Sequence, residues 1–206
     1  MQVKICGLSR EQDIDFVNEA KPDYIGFVFT ESKRQISPVL AQYLRFRLVN
    51  NIIPVGIFVN SRIAEIAELY RNGIISIAQL HGDEDESYIA SLKKTSGSKA
   101  ITVIKVIKSE QLTKETLSAN ANSCADYLLI DSSAGSGKTF QWETLKKLKF
   151  PKPWFLAGGI DIKNLKQAMV YNPFAIDISS GAETDGIKDR EKILQLVTTV
   201  KQGNII

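Results

Sequence analysis

The feature that most constrains this chain is an alternation that occurs eight times: a short β-branched or aromatic run, then a stretch whose apolar residues recur at helical spacing. The runs fall at about residues 3–6, 24–29, 55–59, 74–80, 101–107, 127–130, 154–157 and 175–178. The amphipathic stretches fall at about 9–20, 38–49, 61–71, 83–94, 110–119, 141–148, 161–170 and 189–200. Eight strands each followed by a helix predict an α/β protein, a single (β/α)8 barrel spanning residues 1–206. That length is near the lower end for the architecture, so connections must be short and no inserted domain fits. A doubly wound open sheet is the alternative, because a strand count does not by itself establish closure.

Local chemistry supports these boundaries. Ser9 and Ser61 stand where a side chain can cap a helix, and Asp161 and Asp189 where a negative charge meets a helix N-terminus. Lys93-Lys94 and Lys146-Lys147 stand near helix ends, where positive charge is favourable. The strands read as nearly continuous apolar runs, as expected when both faces are covered.

Composition narrows the function classes. Hydrophobic residues at 44% rule out disorder, and 26 Lys and Arg against 23 Asp and Glu leave a net charge of +3. That balance suits an anionic small molecule and falls short of the basic face of a nucleic-acid binder. The two cysteines, Cys6 and Cys124, lack the close Cys or His neighbours of a zinc site. With no secretory signal and no long apolar stretch, the expectation is a cytoplasmic protein that does not enter a membrane.

In a barrel, the loops leaving the strand C-termini build the site. Cys6 ends the first run, Arg34 lies beyond the second, and His81 ends the fourth. Asp131 ends the sixth, Gly158-Gly159 follow the seventh, and Asp177 with Ser179-Ser180-Gly181 closes the eighth. Each has a plainer reading. A strand-end cysteine can be a small core residue, a lone histidine a structural donor, and an aspartate a helix cap. Asp131 is less easily a cap, because a Gly- and Ser-rich segment follows it. The two glycine runs, after strands seven and eight, occupy the usual phosphate seat of a barrel. Gly135-Ser136-Gly137-Lys138-Thr139 ends like a nucleotide-binding loop, but Ser132 stands where the first glycine should be. A substrate-covering lid containing Gly135 and Gly137 is the better reading.

Taken in order, Lys4-Ile5-Cys6-Gly7, Gly26-Phe27-Val28-Phe29, Ser32-Lys33-Arg34, Gly56-Ile57-Phe58-Val59-Asn60, Gln79-Leu80-His81-Gly82-Asp83-Glu84, Leu129-Ile130-Asp131-Ser132, Leu156-Ala157-Gly158-Gly159 and Ser179-Ser180-Gly181-Ala182-Glu183 resemble the phosphoribosylanthranilate isomerases of tryptophan biosynthesis. Gly135-Ser136-Gly137-Lys138-Thr139-Phe140 fits the same pattern, with departures at Ala134 and Gln141. The resemblance implies an aldose–ketose isomerase that performs an Amadori rearrangement on a small phosphoribosyl substrate, with neither metal nor organic cofactor. It implies Asp131 as general acid and Cys6 as general base. It places Arg34, His81 and Asp177 against the substrate, Arg34 on its aryl carboxylate, and Gly158, Gly159, Ser180 and Gly181 around the phosphate. It fits a monomer or homodimer. Lys4 shares a strand side with Cys6, but spacing alone does not bring the two into contact. The alternatives are another phosphosugar isomerase or epimerase barrel, a non-catalytic phosphate-binding barrel, and a nucleotide switch.

Overall fold

The computed structural model describes residues 1–132 and 142–203. The strands β1 (Gln2–Cys6), β2 (Tyr24–Val28), β3 (Ile53–Phe58), β4 (Ile77–Leu80), β5 (Thr102–Lys108), β6 (Tyr127–Asp131), β7 (Trp154–Ala157) and β8 (Ala175–Ile178) form a closed parallel barrel in sequence order. Closure is made by β1 pairing with β8, which sets Lys4 beside Asp177 and Ile5 beside Ile178. The barrel expectation holds and the open sheet is excluded.

Around it run α1 (Glu11–Ala20), α2 (Pro38–Arg47), α3 (Ile63–Arg71), α4 (Glu86–Thr95), α5 (Lys114–Ala119), α6 (Leu165–Met169) and α7 (Arg190–Gln202). Where an eighth helix is expected after β6, the described residues form a 3-10 helix, Trp142–Lys147. Pro151 and Pro153 follow closely, and a short segment with one buried anchor, Leu145, turns more tightly than an α-helix. β4 begins at Ile77, three residues later than its apolar run. Ile74 and Ile75 instead donate backbone bonds to the Leu69 carbonyl and close the end of α3.

Two of the expected caps are corrected. α1 starts at Glu11, and the Asp13 carboxylate accepts from the N–H groups of Ser9 and Arg10, so Ser9 is bonded rather than capping. Ser61 precedes α3 by two residues and offers its carbonyl to the Tyr88 hydroxyl. Asp189 does cap α7, accepting from Lys192 N–H at 3.1 Å. Asp161 accepts from Lys163 and Asn164 N–H in the turn before α6.

Strand alternation divides the core into two layers. Residues such as Val3, Ile5, Ile25 and Ile178 face the helices, while Tyr24, Val55, Ile104, Leu129 and Phe155 fill the barrel. At its N-terminal end the interior is aromatic: Phe155 meets Tyr24 and Tyr127 edge-on at 5.5 and 5.7 Å. Nearer the C-terminal mouth it is polar, because Lys4, Gln79 and Asp177 are buried there. These three residues are the buried exceptions to the apolar reading of the barrel strands.

Between β8 and α7 lies a hairpin the alternation did not predict, β9 (Glu183–Thr184) and β10 (Ile187–Lys188). Its turn, Asp185-Gly186, takes positive φ at both residues, the conformation an Asp-Gly pair favours between two short strands. The hairpin brings Glu183 and Lys188 to the barrel mouth. No helix among the described residues is long and apolar enough to cross a membrane.

Candidate active site

The C-terminal mouth holds a cavity of about 300 Å³ lined by Cys6, Arg34, His81, Asp131, Gly158, Gly159, Asp177 and Ser180, with Gln79 and Ser179 beside them. Six separate strands and the loops after them thus deliver the expected residues to one place. A larger groove, about 790 Å³ between α2 and α3, contains no cysteine, histidine or aspartate. Gly135 and Gly137, the expected lid glycines, lie outside the described residues.

Cys6 is the last residue of β1 and points inward, as Lys4 does two residues earlier. Gly26 on β2 makes room for it: a β-carbon there would stand 2.6 Å from the Cys6 sulfur. Cys6 and Cys124 are both free thiols, and Cys124 is exposed at the far side of the fold. Burial pushes the Cys6 thiol up; Lys4 pulls it down, Asp177 raises it and Lys188 lowers it, and the balance stays above the ordinary cysteine value. In the free protein, Cys6 is therefore expected to react with iodoacetamide at least roughly tenfold more slowly than Cys124 at neutral pH, counted by mass spectrometry of the labelled peptides. Equal rates would contradict a half-buried thiol that holds its proton at neutral pH.

Beneath Cys6 is a buried polar floor. The Lys4 ammonium, fully inaccessible, donates to Asp177 Oδ2 at 2.8 Å and to Gln79 Oε1 at 2.9 Å. Burial works against the charge on Lys4, but Asp177 and Cys6 outweigh it and hold the ammonium above the ordinary lysine range. Asp177 Oδ1 is buried and has no partner among the described residues. An unsatisfied acceptor in a cavity wall is a socket for a donor on a bound molecule. Asp177 caps no helix among the described residues.

Across the cavity, His81 Nε2 stands 3.3 Å from Asp131 Oδ2. The imidazole and the carboxyl can hold one proton between them at the end of β6. The next residue, Ser132, ties this corner to the strand beside it: its Oγ lies 2.7 Å from the Ala157 carbonyl and 3.0 Å from that of Gly158. The Trp142 indole N–H donates to the same oxygen at 3.2 Å.

Arg34 lines the cavity from the loop after β2, but one edge of its guanidinium is occupied. Nε and Nη2 donate to the two Glu183 oxygens at 2.6 and 2.7 Å. A guanidinium has five N–H donors, so this clamp leaves the others for a ligand. Lys188, also buried, donates to Glu183 and to the Ser179 carbonyl, and Ser179 Oγ donates to the Cys6 carbonyl at 3.2 Å. Burial alone would push the Glu183 carboxyl up, yet the bonds from Arg34 and Lys188 hold it below the ordinary glutamate range. A depressed carboxyl stabilises the fold above its unfolded pKa, and that contribution is lost as pH falls through the folded value. Glu183→Gln is therefore expected to cost about 1–3 kcal/mol at neutral pH, with the gap to the parent closing between about pH 5 and pH 3. Denaturant melts across that range check it; a gap independent of pH would remove the ionic role.

Gly158 and Gly159 follow β7, and Ser179 and Ser180 follow β8, so the two glycine runs do meet at one wall. Gly181 sits behind that wall. A β-carbon on it would be 2.0 Å from the Ile160 carbonyl oxygen, so only glycine lets the two loops touch.

The sequence alone named most of this wall and assigned no role to its support: Lys4, Gln79, Glu183 and Lys188. The signal for the first two was present, since a lysine and a glutamine stand within apolar strands at inward-facing positions. No local pattern pointed to Glu183 and Lys188, which the hairpin carries in.

A closed parallel barrel whose C-terminal mouth gathers a cysteine and an aspartate–histidine pair around a small polar cavity has the architecture of the (β/α)8 enzymes. The comparisons with known proteins narrow the class. The model of the N-(5'-phosphoribosyl)anthranilate isomerase family matches residues 3–199, and the chain belongs to that family. An N-(5'-phosphoribosyl)anthranilate isomerase of Endomicrobium trichonymphae is 42% identical over 206 residues, covering 97% of this chain and 98% of that one. The crystal structure of the phosphoribosyl anthranilate isomerase of Thermus thermophilus is 30% identical, with a TM-score of 0.82 over 98% of this chain and 99% of that one. A second such isomerase, solved with reduced 1-(o-carboxyphenylamino)-1-deoxyribulose 5-phosphate, is also 30% identical, with a TM-score of 0.79 over the same shares.

Proposed function

We propose that this protein isomerises N-(5'-phosphoribosyl)anthranilate to 1-(2-carboxyphenylamino)-1-deoxyribulose 5-phosphate. The observation that carries the reading is the convergence of Cys6 and Asp131, from β1 and β6, on one cavity whose wall is the paired glycine loops. Family membership supplies the substrate.

Asp131, with His81 beside it, gives a proton to the ribose ring oxygen as the anilino nitrogen lone pair pushes out the C1–O bond. The furanose opens to an iminium ion. Cys6, its own thiol proton lost to water as the iminium charge forms, then takes the proton from C2 as a thiolate, and the C2–H electrons form the enolamine. Loss of the C2 hydroxyl proton and protonation of C1 give the ketone, so C2 is oxidised as C1 is reduced within one molecule. This is an intramolecular oxidoreduction that requires no external electron acceptor. The raised Cys6 thiol matches this order: the iminium formed in the first step adds the positive charge that makes a thiolate nearby easier to reach.

Binding follows from the same wall. Arg34, clamped on one edge by Glu183, presents its other donors to the anthranilate carboxylate. Asp177 Oδ1 takes a sugar hydroxyl or the anilino N–H, and backbone groups at Gly158, Gly159, Ser180 and Gly181 hold the phosphate. The reading describes a cytoplasmic enzyme acting in a reducing compartment, where Cys6 stays a thiol.

The test is the loss of anthranilate-type fluorescence when the protein meets freshly generated phosphoribosylanthranilate in the presence of a chelator. Chelator-insensitive turnover that disappears in Cys6→Ser is the expected result. A folded protein without turnover would refute the assignment.

A further inference from the structure

Lys4 is a buried cation on the β1–β8 seam of the site. It faces the barrel interior two residues before Cys6 and is paired in register with Asp177. It is fully inaccessible, and its ammonium is shared between Asp177 Oδ2 and Gln79 Oε1. A buried ammonium needs compensation for lost solvation, and a carboxylate and an amide oxygen provide it. The carboxylate it holds is the one whose other oxygen is buried and unpartnered at the cavity.

We propose that Lys4 is a positioning residue for the isomerisation: one ammonium, steadied by Gln79, fixes the Asp177 carboxylate with Oδ1 left for the substrate and serves as the counter-charge beneath the Cys6 thiolate. The base and the substrate-binding carboxylate are thereby coupled. Whatever strengthens the hold of Lys4 on Asp177 weakens its support of the thiolate, and neutralising Asp177 frees Lys4 for Cys6. Lys4 keeps its proton throughout; the proton taken from substrate C2 resides on Cys6.

The charged groups facing Cys6 are Lys4 on its own strand, Asp177 from β8, Lys188 from β10 and Arg34 from the loop after β2. His81 and Asp131 stand in the same cavity, from the ends of β4 and β6. Lys188 is already engaged by Glu183 and the Ser179 carbonyl. Lys4 has the strongest pull on the thiol among them.

The inference deepens the isomerase reading and rests on Cys6 being its base, so the test reads Cys6 without turnover. In a Cys124→Ser background, the rate of Cys6 alkylation by iodoacetamide is followed from about pH 6 to pH 10 in four proteins: the parent, Lys4→Met, Asp177→Asn and the Lys4→Met/Asp177→Asn double variant. Lys4→Met is expected to slow alkylation about tenfold at fixed pH below the midpoint, and Asp177→Asn to speed it by a similar factor, each a shift of about one unit in opposite directions. A structural role alone would not give opposite signs. If Lys4→Met fails to fold with Asp177 left buried and unpaired, the comparison passes to the double variant, from which both charges are gone. It is expected to alkylate about tenfold more slowly than Asp177→Asn alone. Profiles that coincide, or shift in the same direction, overturn the role of Lys4. Turnover measured on the parent separates the two readings. Turnover with unmoved profiles overturns the inference and leaves the isomerase standing, while opposite shifts without turnover keep only the coupling of Lys4 to Cys6 and Asp177 and overturn its role in an isomerisation.

Discussion

Replacing Asp131 with asparagine is expected to lower kcat by about 10²–10⁴-fold, the range a positioned general acid contributes. Asparagine keeps the shape of the side chain and can still bond to His81 Nε2, 3.3 Å away, but it has no acidic proton to give the ring oxygen. Binding of the reduced product analogue, whose ribose ring is already open, should change little. Cys6→Ser should give a loss of the same order, because a serine hydroxyl is a far weaker source of base than a thiol. The measurement is steady-state fluorescence turnover beside calorimetric titration with the analogue. A variant of either residue that keeps a near-normal rate would move the acid or base role elsewhere in the cavity. One that loses analogue binding as well would make the residue a binding group.

Gly181→Ala is expected to raise KM for the phosphorylated substrate by about tenfold or more, with a smaller change in kcat, because overpacking of about 1–3 kcal/mol falls on the phosphate wall. The added methyl would lie 2.0 Å from the Ile160 carbonyl oxygen and 2.8 Å from Asp161 Cα, both backbone atoms that no side-chain rotation can move aside. The loops after β7 and β8 must separate, and the backbone groups that converge on a phosphate separate with them. Gly73→Ala, away from the cavity, is the control. Its β-carbon would meet no atom within 4 Å, and its cost is the positive φ of 69° alone, about 1–2 kcal/mol. An unchanged KM in Gly181→Ala would place the phosphate elsewhere; inorganic phosphate titrated as a competitive inhibitor gives an independent reading.

Much of the site was legible along the chain because a barrel converts sequence position into spatial position. Cys6, His81, Asp131 and Asp177 each end or follow an apolar run, and parallel strands carry such residues to one mouth. Helix boundaries were less legible. Ser9 and Ser61 have the side chains of caps, but Asp13 competes for the first N–H groups, and the Tyr88 hydroxyl draws on the Ser61 backbone. The stretch at 141–148 has helical spacing, yet its described part is a 3-10 helix held by the Trp142–Ser132 bond and one buried leucine.

By itself the sequence determined the fold class, the eight strands of the barrel and their order, and most of the side chains that line the mouth. Those follow from local periodicity, and periodicity is a property of neighbouring residues. Tertiary structure alone decided the partners of those side chains. Closure of β1 against β8 put Lys4 beside Asp177, 173 positions away, and β4 supplied Gln79 across the barrel. The hairpin before α7 set Glu183 against Arg34 and Lys188 near Cys6. Charge and burial act through space, so the balance of ammonium, carboxylate and thiol beneath the cavity exists only once the barrel is closed.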